Sequence, residues 1–233
     1  CIGAAISLAL AKQGWNIAIH YHHSQKEAAF LAEQCRTYEV KAYPFQANLA
    51  DKTQIEFLIK TIQAQLGNVT CLINNAAYFV NDDITTFTCE NWEAHFNVNL
   101  YAPCLLSQQF AKLLPHEQAG NIINILDYCV FSLPDRFLSY TLSKSALWSM
   151  TQMAARMLAP AIRVNAIAPG PTLRHPRQSE KIFATSFQQS PLGRCTTPDD
   201  IAQATLYLLN APAVTGQCLV LDGGKHLMQA PYC

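Results

Sequence analysis

Short apolar runs alternate along this chain with amphipathic segments of helical length, and that alternation constrains the fold more than any other feature. Apolar positions at Ile2, Ile6, Leu8 and Leu10 predict a helix ending at Gly14, and the run from Asn16 to Tyr21 reads as a short buried strand. A helix is expected from about Ser24, a strand over 40–46, a helix over 51–66 and a strand over 69–73. The pattern continues with a helix over 91–114, a strand over 121–126, a helix over 139–158 and a strand over 162–168. A helix over 198–209 and a strand over 217–221, ended by Asp222-Gly223-Gly224, close the series. Strands separated by whole helices need crossover connections, which implies a parallel sheet covered on both faces. The expected fold is therefore α/β, a doubly wound Rossmann-type sheet, in one domain spanning residues 1–233. Between Gly170 and Pro191 the pattern fails, because Pro171, Pro176 and Pro191 interrupt a short helical stretch near 181–187; such a segment is expected to form a substrate loop over 170–191.

Composition excludes several classes of partner. Lys plus Arg equals Asp plus Glu at 16 each, so no global field recruits nucleic acid or an anionic membrane. Nine Cys are scattered singly, with no C-x-x-C pair, which suits reduced thiols in a cytoplasmic protein and offers no metal site. The apolar stretch from Ile2 to Ala11 lacks a basic leader and is too short to span a bilayer.

In a sheet of this kind ligands bind beyond the carboxyl ends of the strands. The loops there carry Asn74-Asn75-Ala76-Ala77-Tyr78-Phe79, Asp127, Pro169-Gly170-Pro171 and His20-Tyr21-His22-His23-Ser24. On the helix over 139–158, Tyr140 and Lys144 lie one turn apart on one face. A nearby ammonium favours a phenolate, so the pair can act as an acid/base device.

Tyr140 and Lys144, Asp127 thirteen positions before the Tyr, the Asn-Asn-Ala-Ala loop, Asn97-Val98-Asn99-Leu100, and the strand Ile162 to Gly170 together resemble the short-chain dehydrogenase/reductase family along nearly the whole chain. The resemblance implies that Tyr140 exchanges the substrate proton and that Lys144 lowers its pKa and holds the nicotinamide ribose. It further implies that Asn99 supports a proton-relay water and that the protein is a homotetramer. Family members open with a strand and a T-G-x-x-x-G-x-G phosphate loop, of which this sequence supplies only the last glycine, Gly3. With no initiating Met, the natural polypeptide is expected to begin upstream of Cys1, with the first strand and most of that loop. Cofactor contacts are expected from Gly3, His20, His22, His23, Ser24, Asn48, Asn75, Ala76, Lys144, Pro169 and Gly170. The usual ribose-binding carboxylate after the second strand of such folds is replaced by imidazoles and a hydroxyl, which favours NADPH.

Ordinary members place a Ser where this chain has Asp127. A carboxylate there opposes a developing alkoxide and suits a substrate with ring nitrogens. In that respect, and in Phe79 as a stacking aromatic, the chain is similar to the pteridine reductases and dihydromonapterin reductases of folate metabolism. The implied activity is NADPH-dependent reduction of a pterin, with Phe79, Asp127, Tyr140 and Pro171 against the substrate. Ala77 and Tyr78 depart from the small hydroxyl residues common in those enzymes. The alternatives are a 3-oxoacyl-thioester or other carbonyl reductase, and, from another class, a non-catalytic NADP-sensing or scaffold protein.

Overall fold

The structure is a computed structural model that describes residues 1–173 and 190–228; most of the expected substrate loop, with its helical stretch near 181–187, lies outside the described residues. Among the described residues seven α-helices and six strands follow one another: α1 (Ile2–Lys12), β1 (Ile17–Tyr21), α2 (Gln25–Arg36), β2 (Ala42–Gln46), α3 (Lys52–Leu66), β3 (Cys71–Asn74), α4 (Cys89–Phe96), α5 (Ala102–Leu113), β4 (Gly120–Ile125), α6 (Leu138–Met157), β5 (Ile162–Pro169), α7 (Pro198–Leu209) and β6 (Cys218–Leu221). All strand pairs are parallel, in two ladders ordered β1-β2 and β3-β4-β5-β6. The remaining edges of β1 and β3 both line a cavity of about 960 Å³.

Period-two alternation distributes the strand side chains between two apolar layers. Ile123 and Ile125 of β4 and Ile167 of β5 pack with Ile6, Leu10, Ile201 and Leu208 under α1 and α7. Ile122 and Val164 point the other way, to Ile55, Ile59, Leu106 and Phe110 under α3 and α5. Asn124 shares the side of Ile122, and its amide donates to Thr151 of α6 at 2.8 Å while accepting from Asn74 of β3 at 2.8 Å. That buried ladder ties β3, β4 and the middle of α6 together.

The single helix expected over 91–114 is instead α4 and α5 joined by a π-helical turn, Asn97–Tyr101. Pro103 explains part of this, since it has no N–H to give the Asn99 carbonyl in an uninterrupted α-helix. Such wide turns are frequent at functional sites.

Candidate active site

β4 ends at Ile125, and the chain turns outward at Asp127, which caps a 3₁₀ turn over Tyr128–Val130 by accepting the Cys129 N–H at 2.9 Å. Helix α6 approaches from the far side and sets Tyr140 in its first turn. The Tyr140 hydroxyl donates to Asp127 Oδ2 at 3.1 Å. One turn on, Lys144 is 2% exposed and its Nζ donates to the Ile125 carbonyl at 2.8 Å.

Burial dominates the electrostatics of this trio. It raises the Asp127 carboxyl above the usual carboxylate range, against the pull of the Cys129 N–H, Tyr140 and Lys144. It brings Lys144 down to about 8, with Asp127 pulling the other way. Tyr140 is held well above its ordinary value by burial first and then by the Asp127 charge. The expectation that Lys144 lowers Tyr140 is thus corrected for the protein alone: the carboxylate accepts directly from the phenol, whereas Lys144 Nζ donates to the Ile125 carbonyl. The phenol is thus in its protonated form at neutral pH, the form from which a general acid starts.

The loop after β3 forms the opposite wall. Asn99, fully buried in the π turn, accepts from Tyr78 N–H at 2.8 Å, donates to the Tyr78 carbonyl at 3.0 Å and donates to Ser143 Oγ at 3.0 Å. Its side chain therefore clamps the loop to α6, and Tyr78 adds a bond from its hydroxyl to Asn91. The clamp presents Phe79, whose ring stands edge-on to Tyr140 at 4.6 Å and stacks on Phe137 at 4.9 Å. Phe79 remains 45% exposed, so it is no ordinary core residue. Pro171 lies at the start of the segment that runs beyond the described residues.

Of the expected cofactor contacts, Gly3, His20, Ser24, Asn75 and Ala76 line the 960 Å³ cavity, and the others lie outside its lining. The N–H groups of Ile2, Gly3 and Ala4 lie at the start of α1, beyond reach of any helical carbonyl, and such groups bind phosphate. A Cβ on Gly3 would meet Asn75 Nδ2 at 2.9 Å, so the glycine permits the close approach of that loop. Not every expected donor is available. His20 shares a 2.9 Å bond through Nε2 with the Ala47 carbonyl and is held below its usual pKa by burial, which makes it a neutral tie between β1 and the loop after β2. His22, His23 and Ser24 are exposed, the two imidazoles 3.5 Å apart, and stand free of that tie; the carboxylate of Glu27 also lines the cavity. Asn48 turns its Oδ1 to the Ala50 N–H. Pro169 ends β5, and Gly170 runs so close to Asp222 that a Cβ would meet its Cβ at 2.7 Å. The residues present thus fit a dinucleotide, with a phosphate at α1 and hydrogen-bond donors after β1.

Among the described residues no cluster of His, Cys, Asp or Glu could hold a metal, each Cys is free, and no helix is long and apolar enough to cross a membrane. Sequence reasoning missed Ser143, which receives Asn99, His95, whose ring lies 5.9 Å from that of Tyr140, and Asp82, Phe137 and Ser139 at the start of α6. Ser139 precedes Tyr140 directly, but no spacing rule marks Asp82 or His95, because they reach α6 from other elements.

Residues 1–226 match the profile of the family described as "Enoyl-(Acyl carrier protein) reductase". The chain is similar to FolM alternative dihydrofolate reductase 1 from Brucella suis, solved in complex with NADP, at 38% identity and a TM-score of 0.95, covering 99% of this chain and 93% of that one. For the Brucella canis protein of the same description, also complexed with NADP, the values are 37%, 0.93, 99% and 92%. The 3-oxoacyl-[acyl-carrier-protein] reductase FabG of Staphylococcus aureus is 28% identical over 231 residues, 97% of this chain and 94% of its own length.

Proposed function

This chain belongs to the short-chain dehydrogenase/reductase family, and from that premise we propose that it is an NADPH-dependent reductase of pterin-type substrates. The observation that carries the reading is the hydrogen bond of Tyr140 to Asp127 beside a half-exposed Phe79. A family member built for simple ketones has a neutral hydroxyl where Asp127 stands. The likeness to proteins described as alternative dihydrofolate reductases in complex with NADP supports both the substrate class and the cofactor.

NADPH, when bound, supplies the hydride that reduces a ring C=N carbon. The rest of the work belongs to side chains of this protein. Phe79, held beside Tyr140, would pack against a flat ring, and aromatic stacking contributes roughly 0.5–1.5 kcal/mol beyond burial. Tyr140 keeps its proton until a ring nitrogen gains charge and then releases it there. Asp127, which accepts from Tyr140, orients a second ring nitrogen, since one hydride and the proton of Tyr140 complete the reduction of one C=N bond. Lys144, with one N–H on Ile125, keeps two for ribose hydroxyls. Asn99 holds the Tyr78-Phe79 loop in register with Tyr140, and its amide, committed to Tyr78 and Ser143, keeps an acceptor lone pair for a relay water. The scattered thiols suit a cytoplasmic enzyme, and the family suggests a homotetramer, which light scattering after size exclusion would test.

The likeness to FabG favours one second reading, a 3-oxoacyl-thioester reductase. Following NADPH consumption with dihydropterins, dihydrofolate, quinonoid pterins and an acetoacetyl thioester separates the two. Turnover of a pterin above the thioester is expected. The opposite order refutes the pterin reading, and no turnover with any of them favours a non-catalytic NADP-sensing or scaffold protein.

A further inference from the structure

A buried polar chain joins the loop that carries Phe79 to the helix that carries Tyr140. Asp82, His95 and Ser139 are 2%, 0% and 0% exposed. The Val80 N–H donates to His95 Nε2 at 3.2 Å, and His95 Nδ1 lies 2.7 Å from Ser139 Oγ. The Ser139 hydroxyl donates to Asp82 Oδ2, and its N–H donates to Asp82 Oδ1 at 3.1 Å. A backbone N–H can only donate, so Nε2 must accept; the imidazole is then the neutral Nδ1–H tautomer and donates to Ser139. Burial, which holds His95 below its usual pKa, favours that neutral form. Ser139 sits between the other two and is sealed from solvent, so this is no hydrolytic triad.

The same Asp82 also caps α6. Its carbonyl accepts the N–H groups of Phe137 at 2.7 Å and Leu138 at 3.2 Å, while its carboxylate takes that of Ser139. Helix α6 has no side-chain cap from its own N-cap residue, Phe137, which adopts a left-handed conformation at φ 63°. A residue 57 positions away therefore satisfies the start of the helix and places negative charge at its positive end.

Resting on the reading of Tyr140 as proton donor, we infer that Asp82, with Ser139 and His95, is a positioning residue that sets Tyr140 and Phe79 relative to each other and to Asp127. Tyr140 follows Ser139 directly, and Phe79 precedes the Val80 N–H that closes the chain. Both the 3.1 Å bond to Asp127 and the 4.6 Å ring contact depend on how the loop meets α6. A misplacement of about 1 Å can cost on the order of 10²-fold in rate.

Asp82→Asn is the direct test, because it preserves shape and reverses polarity. Its amide would donate to Ser139 Oγ, turn that hydroxyl toward His95 Nδ1, and set an Nε2–H against the Val80 N–H. With a dihydropterin as substrate, Asp82→Asn is expected to lower kcat at least about 10-fold while NADPH affinity stays within about twofold, since the candidate cofactor contacts lie elsewhere. In a Tyr140→Phe background the same change should cost little more, because the proton donor through which Asp82 acts is gone. Additive losses in the double variant, or full kcat in Asp82→Asn beside a crippled Tyr140→Phe, overturn the inference and leave the proposed function standing. Full turnover in Tyr140→Phe alone removes the proton-donor reading, and with it the route by which Asp82 acts. Should Asp82→Asn not fold, Ser139→Ala keeps the caps from Asp82 but breaks the link to His95. A drop in kcat of about threefold or more supports the inference there, and an unchanged kcat refutes it. Nitrogen-15 shifts of His95 in the wild type should report Nδ1–H; an Nε2–H tautomer rejects the chain as drawn.

Discussion

Replacing Lys144 by Met should make the protein more stable at neutral pH while disabling it. The ammonium is buried, and its pKa falls from 10.5 to about 8. A Lys whose folded value lies below its unfolded one costs stability in full below the folded pKa, and the cost fades as pH rises from about 8 toward 10.5, where the unfolded chain also loses its proton. Linkage puts that cost at about 3 kcal/mol at pH 7 and about 1.4 kcal/mol at pH 9.5. Met fills similar space without charge but forfeits the bond to the Ile125 carbonyl, a loss of about 1 kcal/mol. Lys144→Met should therefore gain about 2 kcal/mol over the wild type at pH 7 and almost nothing at pH 9.5. Urea unfolding of both proteins without nucleotide, at the two pH values, measures the difference directly. A difference independent of pH, or a variant less stable at pH 7, would refute the picture of a charged Lys held at an energetic cost for function.

Three further outcomes are expected. Asp127→Ser should reduce pterin turnover by about 10²-fold or more while activity on a simple activated ketone appears or rises, because a neutral donor replaces a carboxyl; steady-state rates with both substrates check this, and unchanged pterin turnover counts against the reading. Tyr140→Phe should cut turnover by at least about 10²-fold with NADPH binding, followed by fluorescence, nearly intact. With His22, His23 and Ser24 after β1 in place of a carboxylate, NADPH should be preferred to NADH by about tenfold or more, or 1.4 kcal/mol; equal dissociation constants would show that Glu27 or another group governs the choice.

The fold was legible because its signals are local. The six strands stand close to where periodicity put them, and the helices expected over 51–66 and 198–209 form as α3 and α7, with Asp51 and Thr197 as the caps that the structure adds. The Tyr140 and Lys144 pair was legible for the same reason: one turn of helix puts both on one face whatever surrounds them. Asp127 was marked by its distance from Tyr140, and the structure adds that the two are hydrogen-bonded. Residues whose role depends on distant partners were not legible. His20 looked like a phosphate donor until Ala47, 27 positions away, proved to hold its Nε2. Asn99 was marked by its motif, but not its hold on Tyr78 and Ser143, which come from 21 and 44 positions away. Asp82 carried no motif, and only the approach of its loop to α6 makes it the cap of that helix. The direction of the Tyr140 pKa was likewise decided by tertiary structure: desolvation depends on what is packed around a group, and a sequence records neighbours along the chain but not the water that packing removes.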